Sequence, residues 1–571
     1  MTRNVADCGP AVPWILFSRR QPVNADRAEL QRLEPFAPMQ PLLRNLDQLF
    51  DREFDVLVVG AGIAGACAAW DAAMRGMSVA LIDAADFASG ASSNSLKLLH
   101  GGLRYVKRIL PREAREAVRE RRTWLRIAPH LVEPLPILVP AYDRSMQNPL
   151  FVRLLLTASD TVAWDRNHGL SEERRIARSR MLTRSEVLAL VPALAETRPA
   201  GGALFHDAQI RNTERLVLEI VRAAASAGAV VANHVAFDSS ILRHGAVVGA
   251  RLTDRITGAK GELRTRAIIL AVGGDVPAAI ERVLPDVPVR THRYSLAMNV
   301  MMRATGLPVA VTLPSRMSDA RQSRQLLWVP WRDREILGTY HRHLVEPSSH
   351  PRIEEEDVVA FLDEVNRVIP SLHLEREDIL LVHAGTLPLA EASRRADLQL
   401  LRRHRIIDHT AHGASGAVSL ISVKYTTGRL AAEEAVNLAQ ERVGREVSPS
   451  VTSITPLPSA PDNVSALRHE AVQKHGQLLP EDIIDHLVGT YGTRYTQVLA
   501  HRETTAHWNQ RVHTSSPVIY AELVHGVRDE MAQTADDLLR RRTELGARGV
   551  SDNAVLARIA DVLGHELGRR A

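Results

Sequence analysis

The stretch that most restricts the fold is Phe54-Asp55-Val56-Leu57-Val58-Val59-Gly60-Ala61-Gly62-Ile63-Ala64-Gly65, a short valine-rich run that stops at GxGxxG and continues into a helical pattern. A brief apolar run without polar alternation reads as a parallel strand buried on both faces. The glycines have separate tasks: Gly60 permits the tight turn, Gly62 lets a pyrophosphate approach the backbone, and Gly65 lets helix and strand pack closely. Free N–H groups at the helix start meet the phosphate charge. The pattern predicts a helix over Ile63–Arg75, ended by Gly76, and a second strand over Met77–Asp83. Asp83 then stands where a carboxylate accepts hydrogen bonds from ribose hydroxyls. This is a βαβ dinucleotide-binding unit, with a glycine-rich structural turn as the competing reading.

Around that unit the 571 residues leave room for two to four domains or subdomains. Helical periodicity is expected over Arg112–Ala128, Thr213–Ala227 and Ile353–Val368, and strands over Val230–Val235, Val247–Leu252 and Arg266–Val272. A proline-rich stretch, Pro456 to Pro461, precedes a tail with only helical patterns, including Val518–Thr543. The expected organisation is an N-terminal extension over 1–50 with an amphipathic stretch around Ala28–Leu49, an α/β body over 51–455, and a helical domain over 456–571. The fold class is α/β: a Rossmann-like βαβ domain, an α+β cap subdomain for the substrate, and a C-terminal all-helical domain.

Several classes are excluded by simple arithmetic. The pI near 9.4 comes from arginines scattered among acidic residues, with only five lysines, so nucleic acid is not an expected partner. Two cysteines, Cys8 and Cys67, without CxxC spacing support neither a disulfide framework nor a cysteine zinc site, and no metal is expected. No apolar run approaches the ~20 residues that span a bilayer. Pro13–Phe17 followed by Arg19-Arg20 runs into polar Gln21, Asn24 and Asp26, so it is read as a cytoplasmic extension and not a secretion signal.

The loop after the second strand, Asp86-Phe87-Ala88-Ser89-Gly90-Ala91-Ser92-Ser93-Asn94-Ser95-Leu96-Lys97-Leu98-Leu99-His100-Gly101-Gly102-Leu103-Arg104-Tyr105, packs small and hydroxyl residues around one lysine and one histidine. It resembles, almost position for position, the D-F-A-S-G-T-S-S-x-S-S-K-L-I-H-G-G-L-R-Y segment of FAD-dependent glycerol-3-phosphate dehydrogenases. The resemblance implies FAD as cofactor and makes Ser92, Ser93, Lys97, Leu98, His100, Gly101 and Gly102 flavin contacts, beside Gly60, Gly62, Gly65 and Asp83. His100 as a packing residue remains the alternative. Weaker likeness extends over most of 54–545. Gly202–Leu216, with Asp207 and Arg215, is similar to the family's segment before the second FAD-contacting strand. Val235 is similar to its adenine-side residue, and Gly273 in Ala271-Val272-Gly273 to its A-T-G turn. Lys424-Tyr425-Thr426-Thr427-Gly428-Arg429 resembles K-L-T-T-Y-R, which implies Lys424 and Thr426 at the flavin's pyrimidine edge and Arg429 as a cation favouring the reduced ring.

Departures concentrate on the substrate side. The family's K-G-S-H is Arg293-Tyr294-Ser295-Leu296, its G-V-R-P is Gly385-Thr386-Leu387-Pro388, and the acid of G-T-T-D is His341 in Gly338-Thr339-Tyr340-His341. A base at 296 and a substrate-anchoring arginine at 387 are therefore missing. Arg290, Arg293 and Arg429 are replacement cations, and His292, His341, His343 and His383 replacement bases. His100, Lys424, Arg429 and His341 are the catalytic candidates. The resemblance implies a dehydrogenase that oxidises glycerol 3-phosphate or a related small anionic polyol and passes electrons to a quinone-like acceptor. The alternatives are oxidation of another hydroxy or amino metabolite, or a flavin-binding paralogue without turnover. Asn148–Trp164, with Leu150, Phe151, Leu154, Leu155 and Leu156 beside Arg153, is a candidate for peripheral contact at the inner face of the cell membrane, or else a core helix. A homodimer is left open.

Overall fold

A computed structural model describes residues 40–101, 110–143, 148–285, 293–315, 324–390 and 398–568. The amphipathic stretch expected from Ala28 thus lies largely outside the described residues; its end carries the one-turn helix Asp47–Phe50. Gly102, Arg290 and His292 also lie outside them.

Strand β1 (Glu53–Val59), the helix Ile63–Met74 and strand β2 (Val79–Ile82) form the expected βαβ unit. The chain continues through β3 (Leu98–Leu99), β4 (Val132–Ala141), β5 (Arg180–Thr183), β6 (Gly201–Ile210), β7 (Val230–Ala232), β8 (Val235–Arg243), β9 (Ala246–Asp254) and β10 (Lys260–Leu270). It then forms β11 (Tyr294–Arg303), β12 (Ala310–Ser315), β13 (Arg324–Trp331), β14 (Arg334–Leu344), β15 (Ile379–Pro388), β16 (Arg405–Asp408) and β17 (Ala417–Ile421). One sheet runs β16-β17-β10-β1-β2-β7, with β9 joining β8 to β10. Its central pairs, β10-β1 and β1-β2, are parallel, and residues 56–59 of β1 are fully or nearly fully buried, which is why the run shows no polar alternation. The second sheet runs β15-β11-β14-β13-β12-β4-β6-β3, largely antiparallel, with β5 beside β6. The helices Ile63–Met74, Thr213–Ser226 and Gly428–Arg442 pack on the first sheet through Ala66, Ala69, Val217, Ile220 and Ala432.

Two expected elements are interrupted. Val230–Val235 breaks at Asn233 and His234 (φ +54°), because Asn233 turns to donate to Asp86 Oδ1 at 2.8 Å and His234 N–H donates to Ala85 O. The long helix expected over Val518–Thr543 stops at Arg528 and restarts at Ala535 after a Thr534 capping box. Between them Glu530 leaves helical geometry to receive both arms of Arg215, at 2.5 and 2.9 Å. Around the proline-rich stretch, Leu457 N–H donates to Ile127 O and Ser459 to Glu219 at 2.5 Å, so residues from 40 onward hold together as one compact unit across position 456.

Candidate active site

The glycine turn is built as its spacing demands. Gly60 has φ +95°, and a Cβ there would lie 2.8 Å from Ala271 O; a Cβ on Gly65 would lie 1.8 Å from Gly60 O. At Gly62 a Cβ would meet, among the described residues, the Ser92 hydroxyl, at 3.0 Å. That hydroxyl accepts from the Ile63 N–H at 2.9 Å, so the N-terminus of the helix is covered by a small rotatable group and otherwise open. Backbone donors at a helix start, reachable only because two glycines lack side chains, fit a pyrophosphate. Asp83 stands on the crevice beside them. Its carboxylate accepts from Ala61 N–H at 2.7 Å and Ala85 N–H at 2.9 Å, and burial holds its pKa above the usual carboxylate value despite those donors. Val235 N–H donates to Asp83 O at 2.7 Å, and Gly273 (φ +58°) follows β10 at the same end of the sheet. The residues present fit an FAD-type dinucleotide.

The loop divides its side chains. Ser92 faces the helix start, whereas Ser93 donates to Gly90 O at 3.1 Å and lines, with Asn94, His383 and Arg541, a separate cavity of about 330 Å³. Burial, reinforced by the Lys97 charge, pushes His383 down to about 3, so it stays neutral. Leu98 is buried in β3. Two of the expected site residues find partners inside the protein. Lys97 is fully buried, with its ammonium 3.0 Å from Thr213 Oγ1 and 3.3 Å from Glu214 Oε2 and lying over the Trp331 ring. Arg429 is likewise taken up by Glu120 (2.6 and 3.0 Å), Glu433 and Thr452, because a buried guanidinium must be matched on every side.

His100 is held from two directions. Its backbone N–H donates to Thr426 Oγ1 at 3.0 Å, and its ring Nδ1 lies 3.6 Å from Asp207 Oδ2. Asp207 also receives Gly101 N–H and Arg121, each at 2.5 Å. Burial alone would raise the Asp207 pKa, but His100, Arg121 and the Gly101 N–H bring it below its ordinary value. The imidazole is 40% exposed. Asp207 and Arg121 as supports of His100 were not legible beforehand: they come from β6 and from the helix Pro111–Ile127, and no local spacing joins them. A Cβ at Gly101 would lie 2.0 Å from Arg121 Nη1, which explains one of the paired glycines. Lys424 is half-buried and donates to Arg402 O.

Strand register sorts the substrate-side residues. Across β11, Ser295 opposes His343 and Leu387, Leu296 opposes Arg342 and Thr386, and Ala297 opposes His341 and Gly385. Because side chains alternate, His341, His343, Ser295, Gly385 and Leu387 share one face. Gly385 there comes against Ala91 of the loop, 3.1 Å from a built Cβ, and Ser295 Oγ meets His341 Nδ1 at 3.2 Å. Leu296 points the other way and is fully buried. Leu387 thus lies on the loop-facing side, whereas Leu296 does not.

Comparison with known proteins gives a consistent picture. The profile described as FAD dependent oxidoreductase matches residues 55–433, and that of the C-terminal domain of alpha-glycerophosphate oxidase matches 450–571. A glycerol-3-phosphate dehydrogenase of Synechocystis is 30% identical over 513 residues, covering 88% of this chain and 91% of the relative. The mitochondrial glycerol-3-phosphate dehydrogenase of Homo sapiens is 30% identical over 534 residues, covering 90% and 71%. The structure of a glycerol-3-phosphate dehydrogenase from Bacillus halodurans complexed with FAD superposes with a TM-score of 0.71 at 24% identity, over 92% of this chain and 94% of that one.

Proposed function

The chain belongs to the FAD-dependent glycerol-3-phosphate dehydrogenase family, and from that membership we propose that it oxidises glycerol 3-phosphate or a closely related small anionic polyol, with electrons leaving through a quinone-like acceptor. Bound FAD supplies the hydride acceptor. The hydroxyl proton must leave the substrate as the hydride departs, and the observation that carries the reading is the His100–Asp207 pair. Asp207, held ionised by Arg121 and the Gly101 N–H, fixes the His100 ring and stabilises it when protonated, leaving the opposite nitrogen to take the proton. His341 supports the substrate from the β14 face and Lys424 offers charge to an anionic group. With leucine at 387, that anion loses a bidentate contact worth about 1.5–3 kcal/mol, which favours a substrate gripped less tightly than an arginine clamp allows.

Anaerobic mixing of the flavin-loaded protein with glycerol 3-phosphate tests this directly. Rapid bleaching of the oxidised flavin is expected, slowed about 10²–10⁴-fold per bound flavin in His100→Asn. A wild-type flavin that stays oxidised would overturn the substrate assignment; equal rates in the variant would move the base to another residue.

The helix Pro149–Val162 supports peripheral membrane contact as part of the same reading. Only Val152 and Leu156 are buried there, while Leu150 is 66%, Leu154 62% and the following Trp164 77% exposed, beside exposed Arg153. An apolar ridge flanked by a cation suits the interface of an anionic bilayer, where a lipid-soluble acceptor resides.

A further inference from the structure

We propose that His501, His525 and Asp529 bind one divalent transition-metal ion of the zinc type, on helical elements that carry none of the crevice residues.

Three potential ligand atoms converge. Asp529 Oδ2 lies 3.0 Å from His501 Nε2 and 3.2 Å from His525 Nδ1, and the two nitrogens are 3.3 Å apart. A tetrahedral ion with bonds of about 2.0–2.1 Å requires ligand atoms about 3.3 Å apart, so the triangle already has the dimensions of one face of such a site. His525 and Asp529 are one turn apart on the helix Tyr520–Arg528 and its C-cap, which sets both side chains on one flank. His501 enters from the 3-10 turn that follows the helix Tyr495–Ala500.

The surroundings fit metal ligation as well. His525 is completely buried, and its remote nitrogen, Nε2, lies 3.4 Å from Glu530 Oε1. A carboxylate on the far nitrogen orients an imidazole and leaves the near nitrogen to donate its lone pair. Arg215 and Arg494 hold Glu530 ionised, at 2.5 and 3.8 Å from that same Oε1, and Arg494 Nη2 also lies 3.4 Å from His525 Nε2. His501 and Asp529 are 13% and 22% exposed, so a fourth position is reachable from solvent. Two imidazoles and one carboxylate select zinc and its neighbours over magnesium or calcium, which prefer all-oxygen shells. Without an ion, His501 Nε2, His525 Nδ1 and Asp529 Oδ2 are left in a hydrogen-bonded cluster.

The test uses the full-length, tag-free protein, stripped with a chelator and dialysed against zinc chloride. One zinc per chain by elemental analysis and a raised melting temperature are expected, both lost in His501→Gln and Asp529→Asn. Cobalt(II) added to the stripped wild type should give the intense visible bands of a four-coordinate ion, a readout that stands even where a variant fails to fold. No retained zinc, zinc retained equally by both folded variants, or a cobalt spectrum indistinguishable from the aqueous ion would overturn the site and leave the hydrogen-bonded arrangement.

Discussion

Gly62 and Gly65 sit three residues apart and do different physical work. A Cβ at Gly65 meets a backbone carbonyl at 1.8 Å that cannot retreat without separating strand from helix, whereas one at Gly62 meets a hydroxyl that can rotate away. Gly65→Ala is therefore expected to lower the melting temperature and lose flavin together, at a cost of about 1–3 kcal/mol. Gly62→Ala should keep the apo-protein's melting temperature while emptying it of flavin, because the new methyl fills the approach to the pyrophosphate. Flavin-to-protein absorbance ratios with melting curves separate the outcomes, and a fully flavinylated Gly62→Ala would sink the turn assignment. Lys97 and Arg429 carry the opposite lesson. Their motif was readable, but their charges turn inward to Glu214 and Glu120, residues that no local spacing connects to them.

Among elements, the helix Pro149–Val162 shows how far periodicity reaches. Its pattern predicts an amphipathic helix, but whether the leucines face core or solvent depends on what packs against it, and it is Val152, Leu156 and, at its end, Val162 that pack on the body. Burying Leu150 and Leu154 in lipid yields about 1.5–3 kcal/mol each, so replacing both with glutamate should weaken binding to anionic vesicles more than tenfold without lowering the melting temperature. Cosedimentation measures it, and unchanged binding would remove this helix from any membrane contact. The tail shows the converse: Val518–Thr543 has helical periodicity throughout, yet the helix opens at Asp529–Thr534 because Glu530 has a partner 315 residues away. The same opening leaves Asp529 at the C-cap, facing His501.

At the scale of the whole molecule, charge is buried where the C-terminal helices meet the α/β body: Arg215 with Glu530, Arg494 with Glu219 and Arg542 with Asp86. Buried neutral histidines set an acid limit on the fold as a whole. Burial pushes His130 and His409 down to about 4 and His383 to about 3, while in the unfolded chain each returns to about 6.5. Between those values the unfolded state binds more protons, so stability is full above about pH 6.5 and falls as pH drops toward 4, by about 1.4 kcal/mol per pH unit per histidine. Melting temperatures from pH 7 to 5 should decline steeply and less so in His383→Gln; a flat profile would mean that these rings are protonated in the fold. The sequence by itself determined the βαβ unit, its dinucleotide and the family, because each rests on short-range requirements: a buried strand, glycines at a turn, a fixed loop. It also gives leucine at 387, where the resemblance leads one to expect arginine. Only tertiary structure decided that Leu296 faces inward, that Asp207 and Arg121 support His100, and that three ligand-type side chains converge on Asp529. Those facts depend on strand register and on buried charges finding partners far along the chain, and neither leaves a mark in the local pattern of residues.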